Sequence, residues 1–431
     1  MIVNFSVQNF GSIKDKQTLS FEADKSDHLE DYYVVNTGKL RLLKLALIYG
    51  ANASGKTTIL KALTFLQRIV LDPLEKKTDY LDFDPFLFDV NTPTQNTILS
   101  IEFIQKRIRY SYEIEFNRQS IIREVLYFYK PKKANVFQRT TNIDKQFSTI
   151  SFGSKIKKDK TLEKTLASNT LWNNSVLGGY LKTNIEAIEL KNVIDWFSNY
   201  LKPVISTNTQ LDHYVTRRLE TSEINKLNIV SILKKADFNI SDVVISEEEN
   251  EMDEKVLKIL RALDLPKDDL EKVANTPLTK IEFEHTIKGA QYFLPIDMES
   301  QGTRRYFGFA GLLSLLIGKS IAFPIDELES SLHPDLYIHF LLSFLVNAKH
   351  SQIIATTHNR EILDNKDIFR NDAIWFTDKN ETSATELYSL NDFDSSTIRD
   401  TSNIYSAYKV GKLGGIPQLG DYYINIDNEA E

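Results

Sequence analysis

Hydrophobic and polar residues alternate along several short stretches of the chain, which is the spacing of half-buried β-strands. Three consecutive stretches between residues 98 and 129 predict a curled antiparallel sheet, and another apolar stretch, Leu45–Tyr49, leads directly into a glycine. The predicted strands are Ile2–Ser6, Thr18–Glu22, Leu45–Tyr49, Ile98–Ile104, Tyr110–Phe116, Ile121–Tyr129, Lys280–His285, Tyr292–Ile296, Ile321–Ile325 and Gln352–Thr356.

Other stretches place hydrophobic residues three or four positions apart, as amphipathic helices do. The predicted helices are Ile59–Leu71, Leu162–Ala167, Ile185–Tyr200, Thr221–Ala236, Asp253–Leu263 and Tyr306–Ile317. None keeps a heptad over several repeats, so no long coiled coil is predicted. The order of elements predicts an α/β fold with three parts. These are an N-terminal lobe with an antiparallel β subdomain (residues 1–153), a helical insert (154–276) and a C-terminal lobe (277–431).

Composition narrows the function classes. The chain has 431 residues and no cysteine, which excludes a disulfide scaffold, a cysteine-rich metal site and a thiol nucleophile. No run approaches about 18 apolar residues, and the segment Met1–Phe10 lacks a basic leader with an apolar core. We therefore expect no membrane span and no signal peptide, and a cytoplasmic location.

The net charge is 52 minus 59, or −7, whereas nucleic-acid-binding domains usually carry a basic face. Two lysine clusters are candidates for such a face, although solvated surface lysines are the more common meaning of such clusters. Nucleic-acid binding therefore remains open. The clusters are Lys130, Lys132, Lys133 and Lys155, Lys157, Lys158, Lys160.

Residues 50–57 read GANASGKT, a complete G-x-x-x-x-G-K-[ST] phosphate-binding loop between a predicted strand and a predicted helix. Glycines let the backbone curl so that successive N–H groups face phosphate oxygens, and the helix N-terminus adds partial positive charge. We expect Lys56 to reach the outer phosphates of ATP and Thr57 to offer its hydroxyl to Mg²⁺. The predicted nucleotide contacts within and beside the loop are Gly50, Asn52, Ser54, Gly55, Lys56, Thr57 and Thr58.

A second set of residues follows the strand Ile321–Ile325. Asp326 stands at the strand end as a candidate Mg²⁺ ligand, and Glu327 is a candidate for polarising the attacking water. His358 lies 32 positions after Asp326, at the end of the strand Gln352–Thr356, where sheet proteins of this kind place catalytic groups. We predict that Glu327 and His358 are catalytic.

Ser300 and Gly302 precede an apolar helix and form a second helix N-terminus suited to phosphate. A simple serine N-cap is the alternative meaning of this pattern. If this end lies on the far side of the domain from the first loop, one nucleotide cannot use both within one chain. We therefore expect each copy of the protein to offer Ser300 and Gly302 to ATP held by another copy.

These motifs resemble the RecF/SMC-like branch of ABC ATPases. More specifically, they resemble the AAA-domain ATPases of bacterial phage-defence loci, such as RloA, the AbiL-type proteins and the AriA subunit of PARIS. The resemblance implies an ABC-ATPase head (a P-loop NTPase) that forms a head-to-tail homodimer or a higher oligomer, with Ser300 as signature serine and His358 as switch histidine. Relatives often carry Arg or Lys where Gly11 stands. They also carry a glutamine in a separate loop, for which Gln95 and Gln105 are the candidates here. The matching segments are VQNFGSIKDKQTLSFEA, YGANASGKTTILKAL, ESQGTRR, PIDELESSLHP, ATTHN and YKVGKLGGIPQL.

Three functions compete. The first is an ATPase that acts as sensor or controller in anti-phage defence and switches a separate effector, such as a nuclease encoded by the adjacent gene. The second is a RecF-like DNA-repair ATPase, which the acidic charge and compact insert disfavour. The third is a self-contained nuclease, but only 73 residues (431 minus 358) follow His358, and their one suggestive acidic pair, Asp392 and Asp394, is typical of a loop or cap. The insert Ser154–Thr276 is the expected effector surface. Its acidic run Glu247–Glu254 is a candidate contact for a basic partner, although a solvated loop is the more common meaning of such a run.

Overall fold

The computed structural model describes residues 1–156, 160–248, 278–393 and 403–417. The strands of this part of the chain are β1 (Ile2–Gln8), β2 (Gln17–Ser20), β3 (Val34–Thr37), β4 (Leu40–Leu43), β5 (Leu45–Gly50), β6 (Thr97–Gln105), β7 (Ile108–Phe116), β8 (Ile121–Tyr129), β9 (Lys133–Asn142), β10 (Phe147–Phe152), β11 (Asp242–Glu248), β12 (Leu278–Ile287), β13 (Ala290–Pro295), β14 (Ala322–Ile325), β15 (Gln352–Thr356), β16 (Ile374–Lys379) and β17 (Thr385–Ser389). Its helices are α1 (Glu30–Tyr33), α2 (Lys56–Leu71), α3 (Lys160–Asn169), α4 (Val176–Leu181), α5 (Ile188–Asp195), α6 (Leu211–Glu220), α7 (Lys226–Lys235), α8 (Gln301–Gly318), α9 (Pro334–Asn347) and α10 (Ile404–Lys409).

The chain divides into two compact units. The first contains Met1–Thr207, Lys319–Glu329 and the described residues from Leu345 onwards, and the second contains Asn208–Gly318 and Ser330–Phe344. These bounds differ from those of the three parts predicted from the sequence, and that division stays a prediction.

A five-stranded sheet in the first unit has the order β14-β15-β5-β16-β17. Its first four strands are parallel, and β17 runs antiparallel to β16. All six residues of the central strand β5 are buried, as expected for a parallel strand covered on both faces. Because parallel strands share a direction, the carboxyl ends of β14, β15, β5 and β16 meet at one edge of the sheet.

A seven-stranded antiparallel sheet in the same unit has the order β10-β9-β8-β7-β6-β1-β2. Along β6 and β7 buried residues mostly alternate with half-buried ones, so the sheet has one face in the core and one toward solvent. The predicted α/β fold with an antiparallel β subdomain is thus confirmed. Strands β9 and β10 extend this sheet beyond the strands predicted from the sequence.

Only part of the predicted helical insert lies in the first unit, where α3, α4 and α5 follow β10. A π-helical turn, Trp196–Tyr200, continues α5 to the end of the segment predicted as one helix. The predicted helix Asp253–Leu263 lies outside the described residues.

The second unit contains the three-stranded antiparallel sheet β11-β12-β13 together with α6, α7, α8 and the first residues of α9. Strand β11 lies within the predicted helical insert, between two of its predicted helices. Its run Val243–Ile245 is β-branched, which favours an extended chain. Helix α7 begins later than predicted because Asn225 caps it, with its side chain accepting a hydrogen bond from the Leu227 N–H. Within the described ranges, no helix is both long enough and apolar enough to cross a lipid bilayer.

Candidate nucleotide-binding site

The phosphate-binding loop joins β5, which ends at Gly50, to α2, which begins at Lys56. Gly55 has a φ of 106°, a conformation that side-chain-bearing residues rarely adopt. A Cβ atom there would overlap the side chain of Thr385 and lie 2.8 Å from the Ser12 Oγ. The packing around the loop therefore requires glycine at position 55.

Hydroxyl groups from two further strands hold the loop in place. Ser54 Oγ lies 2.6 Å from Thr377 Oγ1 in β16, and Thr385 in β17 donates its hydroxyl to the Ser54 carbonyl at 2.8 Å. Ser12 Oγ lies 2.8 Å from Thr385 Oγ1 and 3.0 Å from Thr58 Oγ1. Thr58 is thus tied to the turn after β1. Sequence patterns missed Thr377 and Thr385, because neither strand was predicted.

Lys56 is buried, with 6% of its surface exposed. Its ammonium donates hydrogen bonds to the carbonyls of Gly50 at 2.9 Å and Ala51 at 3.0 Å. Burial lowers the Lys56 pKa, and the negative charge of Asp326 partly opposes this shift. The ammonium therefore lies inside the curl of the loop, where a phosphate would receive it. Asn52 is exposed on the same loop.

Asp326 follows β14 and meets the first turn of α2. The Thr57 hydroxyl lies 3.0 and 3.1 Å from the two carboxylate oxygens of Asp326, and the Thr356 hydroxyl donates to one of them at 2.6 Å. Hydroxyl and carboxylate oxygens are the ligands that Mg²⁺ prefers, usually with phosphate and water completing its shell. The donor set of this site therefore fits a nucleotide phosphate together with Mg²⁺.

Glu327 and His358 lie at the same edge of the sheet. Glu327 is exposed, has a φ of 50° and donates its backbone N–H to Thr356 Oγ1 at 2.8 Å. The backbone N–H of His358 donates to the carboxylate of Glu329. Partial burial and the positive charge of Lys56 lower the His358 pKa, which favours the neutral imidazole at pH 7. The first unit thus brings Lys56, Thr57, Asp326, Glu327 and His358 together.

Ser300 and Gly302 belong to the second unit, at the start of α8. Ser300 is exposed, and its Oγ accepts the Thr303 N–H at 3.1 Å, so it forms an N-cap. A Cβ atom on Gly302 would meet its nearest neighbour, the Ser331 carbonyl oxygen, at an ordinary 3.6 Å. Packing among the described residues therefore does not require glycine here.

Residues on either side of this segment are held by internal contacts. Glu299 lies 2.7 Å from His285 Nε2, and Arg304 forms an ion pair with Asp212 at 2.6 Å. Arg305 is buried, with its guanidinium over the Phe309 ring at 5.1 Å. The flanking side chains thus fix the helix start, while the exposed Ser300 keeps its hydroxyl at the surface.

Sequence reasoning found no convincing glutamine to approach the metal from a separate loop. Of the two candidates, Gln105 ends β6 at a hairpin, and Gln95 follows a short 3₁₀ turn with its carbonyl bonded to Asn9. The backbone neighbour of Asp326 is a different segment. Residues Leu201–Ile205 run parallel to β14, and the Asp326 N–H donates a hydrogen bond to the Ile205 carbonyl at 2.7 Å. This neighbour of Asp326 had no sequence signal, because Pro203 interrupts its apolar pattern.

Asp392 belongs to the acidic pair that was considered for a nuclease, and its side chain has a structural role. Asp392 Oδ2 accepts the Ser389 N–H at 2.7 Å in a capping box. Asp394 lies outside the described residues. In the described part of the chain, no cluster of three or more His, Asp or Glu side chains is arranged to hold a metal ion.

The solved structures that are similar to this chain include SMC heads. The SMC head bound to the C-winged helix domain of ScpA has 12% identity and a TM-score of 0.44, over 90% of this chain and 97% of that one. The SMC head domain from Thermotoga maritima has 12% identity and a TM-score of 0.41, over 90% and 98%. No curated protein sequence matches the chain.

A protein-family model matches residues 45–364, which include the phosphate-binding loop, Asp326, Glu327 and His358. The match covers well over half of the chain. The protein therefore belongs to the family described as "AAA domain, putative AbiEii toxin, Type IV TA system".

Proposed function

We propose that this protein binds ATP with Mg²⁺ and hydrolyses the terminal phosphoanhydride bond. The observation that carries the proposal is the contact of the Thr57 hydroxyl with both Asp326 oxygens, beside the buried ammonium of Lys56. P-loop NTPases hold Mg²⁺ with a loop hydroxyl and a strand-end aspartate, and these residues supply that pair.

Each group then has one task. Lys56 holds the outer phosphates, and Thr57 and Asp326 hold Mg²⁺, which supplies charge neutralisation at the phosphate oxygens. Glu327 accepts a proton from the attacking water, because its exposed carboxylate stands beside the metal ligand Asp326. Partial burial and the charge of Lys56 lower the His358 pKa, which favours the neutral ring, and its N–H donates a hydrogen bond to the terminal phosphate.

A second copy of the chain completes the site in a head-to-tail homodimer. Ser300 is exposed and Gly302 has space around its Cα, and both stand at the positive end of the 18-residue helix α8. These features support their use as the phosphate contact for ATP bound to the partner. The internal cap bond to Thr303 holds the hydroxyl in place without burying it.

The biological role that we propose is control of a separate effector in bacterial anti-phage defence, within the cytoplasm. The effector is a protein encoded by the adjacent gene, and a nuclease is the expected class. The observation that supports control rather than cleavage is the structural cap that engages the Asp392 side chain. The family description refers to a toxin of a type IV TA system, so toxicity of this chain alone is the competing outcome.

Two variants separate nucleotide binding from hydrolysis. Lys56→Ala removes a charge-assisted phosphate contact, so ATP affinity should fall by about 10- to 150-fold, the equivalent of ~1.5–3 kcal/mol. Glu327→Gln keeps the phosphate loop intact and removes only the proton acceptor, so turnover should fall by about 10²–10⁴-fold while ATP affinity is retained. ATP binding by calorimetry and phosphate release measure the two effects, and wild-type turnover in Glu327→Gln would contradict the assignment.

The same reactions test the controller role when DNA and RNA are included. The purified wild-type chain should release phosphate and leave both nucleic acids uncut. In cells, toxicity or phage protection should require the adjacent gene as well as an intact Lys56. Cleavage by this chain alone that persists in Lys56→Ala, or toxicity of the chain without its neighbour, would overturn the controller role and leave the ATPase assignment standing.

A further inference from the structure

Three positively charged segments leave the seven-stranded sheet at the same end. The β6–β7 hairpin turns at Lys106–Arg107 and the β8–β9 hairpin turns at 130–132, and the first residues of β7 pair with the last residues of β8. Strand β10 ends beside the start of β9, where the Gly153 N–H donates to the Val136 carbonyl at 3.0 Å, and Lys155 follows. The topology therefore aligns three basic segments that are far apart in sequence.

We call these side chains the basic end; they are Lys106, Arg107, Lys130, Lys132, Lys133 and Lys155, and all six are exposed. Lys106 donates to Asn192 at 2.8 Å and lies 3.7 Å from the Asp195 carboxylate. The neighbouring Arg109 is paired with Glu102. The other members of the basic end form no ion pair with a described residue. This end therefore carries excess positive charge in a chain whose net charge is −7.

The two residues at the tip of the β6–β7 hairpin have a backbone conformation that lysine and arginine rarely adopt. Lys106 has a φ of 48° and Arg107 a φ of 63°, and both values lie in the left-handed region. Two-residue hairpins with this geometry strongly favour glycine, asparagine or aspartate, since other residues cost about 1–2 kcal/mol each. Two cations at these positions oppose that preference, which points to use of their charge.

Aromatic rings behind the basic end are covered by cations. Lys133 Nζ lies 4.2 Å from the centre of the Tyr127 ring, and the Arg109 guanidinium lies 4.9 Å from that of Tyr129. A cation therefore occupies one face of each ring. The exposed groups are ammonium and guanidinium ions, whose preferred partners are phosphate oxygens.

We propose that the basic end binds the phosphate backbone of a nucleic acid without reading its sequence. From the β6–β7 turn to β10 the row spans about 17 Å at the usual spacing of ~4.8 Å between strands. That length matches about five phosphates along one strand of a duplex. The surface is separate from the ATP site, so binding requires neither ATP nor Lys56.

The test is fluorescence anisotropy with labelled duplex DNA, single-stranded DNA and duplex RNA of about 25 units each, at ~50 mM salt and without ATP. Replacing Arg107, Lys130, Lys132 and Lys155 together by Gln should weaken duplex binding by about 100-fold. The slope of log affinity against log salt should be shallower in this variant than in the wild type by about 3 to 4, because four cations no longer displace counterions. The probe bound most tightly identifies the kind of nucleic acid.

A matched control replaces four exposed lysines elsewhere, Lys25, Lys39, Lys76 and Lys77, and changes the net charge equally. This control and Lys56→Ala should both bind within about twofold of wild type, and the basic-end variant should keep wild-type ATP turnover. Equal weakening in the control would reduce the effect to net charge and overturn the proposal. Polyglutamate serves as an anion without phosphate. The proposal would also be overturned if none of the three nucleic acids bound, or if polyglutamate bound more tightly than all of them.

Discussion

Two helices of this protein begin with sequence motifs suited to phosphate, and their surroundings differ. At the start of α2, threonine and serine hydroxyls hold the loop, and a Cβ on Gly55 would overlap Thr385. At the start of α8, Ser300 bonds to Thr303 in its own turn, and a Cβ on Gly302 would have ordinary space. The packing of the chain itself thus requires glycine in the first motif. In the second motif, Ser300 and Gly302 are open to a ligand from outside the chain.

Adding one methyl group at each glycine tests this difference most severely. Gly55→Ala should lower ATP affinity by about 100-fold, because the overlap with Thr385 and the left-handed backbone force the loop to shift. Gly302→Ala should keep that affinity and raise helix stability slightly, since alanine is the better helix former by up to about 1 kcal/mol.

Turnover of Gly302→Ala should nevertheless fall by about tenfold, because in the proposed dimer the methyl group would stand where the phosphate bound to the partner approaches. Calorimetric ATP titration, thermal unfolding and phosphate release separate the three effects. Equal loss of ATP affinity in the two variants would remove the distinction between the motifs.

Two substitutions at Ser300 separate its capping role from its phosphate role. Aspartate is as good an N-cap as serine, so Ser300→Asp should keep the free energy of unfolding within about 0.5 kcal/mol. Its carboxylate would repel the partner's phosphate, so turnover should fall by about 100-fold. Ser300→Ala should lose about 1 kcal/mol of stability and keep more of the turnover than Ser300→Asp. The reverse ranking in turnover would mean that Ser300 is only a cap.

The parallel sheet and its polar edge were largely predictable from the sequence. Buried parallel strands are continuous apolar runs, so β5 and β14 were expected within one residue of their bounds and β15 at its observed bounds. The residues that follow those strands meet at one edge. Asp326 and His358 could therefore be assigned to one site before any geometry was known.

The other contacts of the site and of the core form between strands that are far apart in sequence, so they leave little pattern in any one stretch of the chain. Strands β16 and β17 supply Thr377 and Thr385, hydroxyls whose role appears only when they reach the loop. In β9, Arg139 is fully buried and lies 3.8 Å from the buried Glu124 of β8. A charge in a core position contradicts the hydrophobic pattern. Its partners are Glu124, the Ser148 hydroxyl at 2.7 Å and the Trp172 carbonyl at 3.0 Å, and only the fold brings them together.

Subunit mixing tests the central claim, a composite ATP site, most directly. Lys56→Ala and Ser300→Arg chains should each be nearly inactive alone, because one lacks the phosphate contact and the other blocks the partner's site. In a mixed dimer, the intact loop of the Ser300→Arg chain meets the intact signature of the Lys56→Ala chain. An equimolar mixture should therefore recover about one quarter of wild-type turnover, since half of random dimers are mixed and each has one working site. Phosphate release that stays at the level of the separate variants, in a mixture shown by native mass spectrometry to contain mixed dimers, would contradict the composite site.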